Sequence, residues 1–176
     1  MPATNPRSAQ VKAALAAQLA SIVEGVTNSN GYTYWYTPSR VIRVKGVAAD
    51  CVDESLDSIY CMSPDTTSQA RNSTWGTHDA ELNIDLDLFR KYRPEAGTEN
   101  PFEVQGELRE DLEDRMAADV EARLMEDPTY AAYAGLEVWD IQVVSKDQTP
   151  EATSIEGWAR VILRVVVRYR YRAPSP

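Results

Sequence analysis

The sequence predicts an α+β domain, a mostly antiparallel β-sheet with two α-helices packed on one face. Three features predict it. The run "HDAELNIDLDLFRKY" alternates strictly, with Ala80, Leu82, Ile84, Leu86 and Leu88 on one side and Glu81, Asn83, Asp85 and Asp87 on the other. The closing run Trp158–Arg172 alternates too, with five arginines on its even face and an apolar odd face. Two other runs repeat apolar residues at helical spacing, and the elements follow in the order α, β(β), β, β, α, β, β.

Asn5 can cap the first helix and Pro6 suits its first position. Val11, Leu15, Gln18/Leu19, Ile22 and Val26 then form one stripe, and Gly25 or "TNSNG" ends it. Tyr32–Thr37 are strong strand formers, and Pro38 marks an edge or a break. Val41–Val47 reads as a short strand and "ADCVDESLD" as a connection. Ser58–Ser63 is a short strand-like run, and Pro64–Thr77 is expected to be a long polar loop carrying Trp75. After the alternating strand, "RPEAGTENP" is a loop.

A long helix is expected from about Pro101 to Asp127, with Val104, Leu108, Leu112, Met116, Val120 and Leu124 as its stripe. Ala117 and Met125 widen the stripe, and Glu107, Arg109, Glu110, Asp111, Glu113, Asp114, Asp119, Glu121 and Arg123 make a charged outer face. "TYAAYAGLE" connects it to a strand at Val138–Val144, and "SKDQTPEATSIEG" is a hairpin-like loop before the last strand. That last strand is long enough, about 40 Å at ~3.3 Å per residue, for its end to project beyond the domain.

One domain over residues 1–176, with a short tail at 173–176, fits the length, enough chain to bury roughly 70% of its unfolded surface. No stretch approaches the roughly 18 continuous apolar residues of a membrane span. The N-terminal run lacks the order of a signal peptide, so a cytoplasmic chain with reduced, structural Cys51 and Cys61 is expected. A net charge of -9, from 27 acidic and 18 basic residues, argues against general affinity for nucleic acid.

Catalysis would need a positioned nucleophile, base or metal. The lone histidine, His78, adjoins Asp79, but neighbouring strand residues point to opposite faces. Asp85 and Asp87 share a strand face with Glu81, where they suit acid/base work or a cation, or else solvent or arginines across the sheet. No phosphate-binding glycine loop, nucleophile elbow or zinc-protease motif occurs, and no cofactor or metal is expected. The cluster "YTYWY" could stack on bases, but such a cluster more often packs into a core or an interface. The arginines of the last strand, all on one face, do not form a disordered basic arm. Their partners are solvent, acids on a neighbouring strand such as Asp85 and Asp87, or another molecule.

The order "VKAALAAQLASIVEG", "GYTYW", "VIRVKGV", "SIYCM", a variable polar loop, "ELNIDLDLF", a mid-chain helix and a hairpin ending in "GWARVILRVVVRYRYR" resembles the lambda-type tail terminator proteins of long-tailed bacteriophages. The resemblance spans about residues 8–172 and rests on order, length and texture. It implies a non-enzymatic virion protein that assembles in the host cytoplasm as a ring, generally a hexamer, at the head-proximal end of the tail tube. The ring stops tube growth and offers the docking surface for the head. Its partners are other copies of itself, the major tail tube protein and a connector or neck protein, and DNA passes through its lumen as cargo. The family has no catalytic motif to transfer.

In such a ring, Arg168, Arg170 and Arg172 are expected to meet a neighbour's acidic surface, and Trp75 to anchor a partner from its loop. A connector, neck or tube protein of the same assembly is the nearest alternative. A metal-dependent enzyme using Asp85 and Asp87, or a DNA-binding module using the arginine face, stands further off.

Overall fold

The structure, a computed structural model, describes residues 7–44, 53, 55–63, 68–74, 77–91, 101–127, 130, 133–148 and 158–172, with backbone alone at 68–74, 77, 101–108, 148 and 172. Helix α1 (Arg7–Ala20) precedes strands β1 (Arg40–Arg43), β2 (Ser58–Met62), β3 (Ser68–Thr74) and β4 (Thr77–Lys91). Helix α2 (Pro101–Leu124) follows, then β5 (Val138–Gln148) and β6 (Trp158–Arg172). The strands form one sheet in the order β1-β2-β4-β6-β5, with β3 on the first half of β4. Only β1 and β2 run parallel. The α+β architecture expected from the sequence is therefore the one observed.

The two alternating runs are the two central strands. They pair along their whole length, from Thr77 opposite Arg172 to Lys91 opposite Trp158. The end of β6 does not project alone, because β4 matches it residue for residue. Ala80 through Leu88 on β4 and Ala159 through Tyr169 on β6 turn their apolar faces to one side and are buried there. Val11, Leu15, Leu19 and Ile22, together with Leu112, Met116, Ala117, Val120 and Leu124, close over them. Each fully buried aliphatic side chain contributes about 1.5–3 kcal/mol. A smaller cluster of Val44, Ile59, Cys61, Phe89 and Trp158 sits on the opposite face, with Cys61 buried in it. Cys51, the cap at Asn5-Pro6 and the tail at 173–176 lie outside the described residues. Among the described residues no helix is long and apolar enough to cross a membrane.

Several elements differ from expectation. The polar run at 64–77 contains strand β3, paired with β4 from Ser68 opposite Leu82 to Thr74 opposite Thr77. Backbone groups alone make that ladder, so "SQARNST" needs no apolar alternation to join it. Trp75 lies outside the described residues.

Tyr32–Thr37 is not a strand; its only bridge among the described residues is Thr33 with Thr27. The N–H groups of Trp35 and Tyr36, which a strand would give to its neighbour, go instead to the Asp119 carboxylate of α2. Helix α1 stops at Ala20 and leaves Val26 exposed, and Gly25 takes φ 76° where the chain turns to meet Tyr34. Met125 is exposed just past the end of α2. Strand β5 runs on to Gln148, with register shifts at Trp139 and Val144.

Candidate functional site

The outer face of the sheet carries a ladder of arginines and carboxylates. Antiparallel register sets Arg164 opposite Asp85, Arg168 opposite Glu81 and Arg170 opposite Asp79. Arg164 Nε donates to Asp85 at 2.8 Å, and Arg170 Nε to Asp79 at 2.7 Å. Arg168 Nε donates to Glu81 at 3.1 Å, and its Nη1 to Asp140 of β5. Asp87 faces Ile162, so Arg160 reaches it diagonally with two bonds, Nε to Oδ1 at 2.8 Å and Nη2 to Oδ2 at 2.6 Å. Arg160 also lies over the Phe89 ring. The hydrogen bond from Arg170 holds the Asp79 carboxyl below the usual range, and the bonds Arg160 gives to Asp87 raise its guanidinium above its own.

Asp85 and Asp87 are thus divided between two arginines rather than aimed at a common ligand. Arg168 and Arg170, expected at a subunit interface, are held by acids of their own sheet, because the register lines them up. Arg172 stands opposite Thr77 at the end of the ladder, where only its backbone is described. His78 and Asp79 diverge, as strand geometry requires: His78 stacks on Tyr171, and Asp79 faces Arg170. Among the described residues no group of three or more His, Cys, Asp or Glu side chains is placed to hold a metal ion. In the ladder, four arginines meet five carboxylates. A guanidinium whose charge is already offset by a carboxylate attracts a phosphate less strongly than a free one.

The sequence reading missed two buried carboxylates. Asp119 is 0% exposed and Glu113 3%, although both belong to the set assigned to the outer face of α2. Asp119 accepts the Tyr32 hydroxyl at 2.9 Å and the N–H groups of Trp35 at 3.0 Å and Tyr36 at 2.9 Å. Burial raises its pKa, and the three donors only partly offset that. Glu113 accepts the Arg160 N–H at 3.3 Å and lies 3.6 Å from Arg109; burial raises its pKa as well.

The signal was present in the helical phase. At about 100° per residue, Asp119 falls within about 20° of Leu112, and Glu113 within about 20° of Val120. Beside Asp119, Trp35 is half exposed under Arg115, whose guanidinium lies 4.3 Å from its ring centre. The Arg90 guanidinium lies 4.2 Å from the ring centre of the buried Tyr36. These contacts fasten the segment after α1 to α2 and the sheet, so "YTYWY" is packing material with one ring at the surface.

No protein-family model matches the chain, and no curated protein is significantly similar to it.

Proposed function

We propose that the chain is a structural subunit of a bacteriophage tail, a tail terminator that forms a ring on the head-proximal end of the tail tube. The ring stops tube polymerisation and provides the surface on which the head docks. The arrangement of elements carries this reading. An N-terminal helix, an aromatic segment, two short strands, a long alternating strand, a long helix and a closing hairpin are the order on which the resemblance rests, and the strands among them join one sheet with both helices packed on one side of it.

The ladder supports the reading as well. A sheet face whose arginines are neutralised in place can border a channel without arresting the DNA that moves through it. The experiment is to add the purified chain to polymerising tube subunits. A terminator shortens or caps the tubes and sediments with their ends. A tube subunit would instead form long tubes by itself, and a connector or neck protein would leave tube length unchanged; either result overturns the assignment.

A further inference from the structure

The sheet has two unlike edges. Among the described residues strand β5 pairs only with β6, and its register shifts place Trp139 and Val144 in bulges, where they are 52% and 50% exposed. Bulges commonly re-aim side chains in this way. A groove of about 680 Å³ opens beside Trp139, lined by Asp79, Glu137, Val138 and Arg170. Asp79 and Arg170 are bound to each other within it, whereas Glu137 is exposed. Glu137 takes φ 53°, the left-handed region, and its carbonyl accepts the Arg170 N–H at 3.0 Å, so the residue is fixed at the lip.

At the opposite edge, β1 pairs, among the described residues, only with β2 and exposes Arg40 and Arg43. Among the described residues neither guanidinium makes a hydrogen bond or an ion pair; Arg40 has only the field of the exposed Asp53 near it. A planar guanidinium fits a tryptophan face flanked by a carboxylate, since it stacks on the ring while donating sideways.

We propose that these edges are the two halves of one contact: Arg40 and Arg43, which flank the β1 edge from its two opposite faces, close from either side on Trp139 and Glu137 at the β5 edge of the next copy. The inference rests on the ring reading and adds where the subunits meet. Five strands separate the edges by roughly 19 Å, at ~4.8 Å per step, so the contact is head-to-tail and runs from copy to copy, as a ring requires. It also accounts for a subunit interface that does not draw on Arg168 and Arg170.

The test is the mass in solution, by size exclusion with light scattering over a concentration series. The wild-type chain is expected as a multimer. Arg40→Glu/Arg43→Glu, and separately Trp139→Ala, should each weaken association at least about tenfold with unchanged circular dichroism. Adding Glu137→Arg to the Arg40→Glu/Arg43→Glu background should restore association relative to that variant. Should the double reversal disturb the fold, Arg40→Gln/Arg43→Gln takes its place. A multimer unmoved by the edge variants overturns the edge assignment and leaves the ring reading standing. A wild-type chain that stays monomeric throughout overturns both.

Discussion

Arg160 grips Asp87 through both nitrogens of its fork, at 2.8 and 2.6 Å, one diagonal away from the direct cross-strand position. This is the least exposed rung of the ladder, with side chains 16% and 11% accessible against about half for Arg164 and Arg170. Charge removal should matter in that order. Asp87→Ala leaves a half-buried guanidinium without its anion, and a loss of about 2 kcal/mol is expected in urea denaturation. Asp85→Ala and Asp79→Ala remove solvent-screened partners and should leave the midpoint nearly unchanged. Equal losses along the ladder would mean that burial does not set its energetics.

Asp119 does for the aromatic segment what a neighbouring strand would otherwise do. Asp119→Ala strands the Trp35 and Tyr36 N–H groups and the Tyr32 hydroxyl in a buried setting, at about 1–3 kcal/mol for each group left unsatisfied. Relaxation toward water recovers part of this, so a net loss of about 3 kcal/mol is expected, with Trp35 fluorescence shifting as the ring leaves Arg115. A stable variant with unchanged emission would show that the segment is held by its tyrosines alone.

The sheet was legible because its central strands have one buried face each, and period two survives wherever one side of a strand meets the core. The ladder was half legible. The alternation placed every arginine on one face and offered Asp85 and Asp87 as partners, but pairing depends on the register between strands about seventy residues or more apart, which no local pattern encodes. Strand β3 was hidden because a backbone ladder leaves no trace in polar residues. Asp119 and Glu113 were misread because a charged residue on a mostly acidic helix looks solvated until its angle is set against the winding apolar stripe. The Trp139 edge was missed because its exposure comes from a bulge, which is a property of two strands rather than one.

The buried carboxylates give a pH signature opposite to that of ordinary ion pairs. The Asp119 carboxyl titrates above its unfolded value of about 3.8 because burial disfavours its charge. The folded chain then binds the proton more tightly than the unfolded chain does. This contribution therefore increases as pH falls through the raised native pKa, is complete below the unfolded pKa, and is lost as pH rises through that window. Asp79, lowered by Arg170, acts in the opposite sense and loses its contribution as pH falls through its native pKa. The difference in stability between wild type and Asp119→Asn isolates the first effect. It should grow in favour of wild type as pH is lowered from neutrality toward 4, and a pH-independent difference would contradict it.

Among the described residues, the buried hydroxyls of Tyr36 and Tyr60 make no well-formed hydrogen bond, and the Ser58 hydroxyl, the polar group beside Tyr60, makes none either. Removing a buried hydroxyl ordinarily costs stability because a bond is lost. Here Tyr60→Phe removes a desolvated group and keeps the ring that fills the core, so it should be neutral or stabilising by up to about 1 kcal/mol. A clear loss in thermal or urea denaturation would mean that the hydroxyl is satisfied in solution.

The last prediction concerns the face that the sequence made look like a nucleic-acid grip. Each of its arginines from Arg160 to Arg170 is held by a carboxylate of the same sheet, and a phosphate would have to displace that carboxylate in a chain of net charge -9. The wild-type chain should not retain duplex DNA even at low salt. Asp79→Asn/Glu81→Gln/Asp85→Asn/Asp140→Asn keeps the shape of the ladder but frees the guanidinium groups of Arg164, Arg168 and Arg170, two residues apart at the closest and six at the furthest. That variant should gain measurable binding, and its log affinity should fall with log salt at a slope of about -0.9 for each phosphate engaged. Binding by the wild type with such a slope would mean that DNA strips the carboxylates from the ladder. The face would then be a grip, and the passive-channel part of the functional proposal would fail.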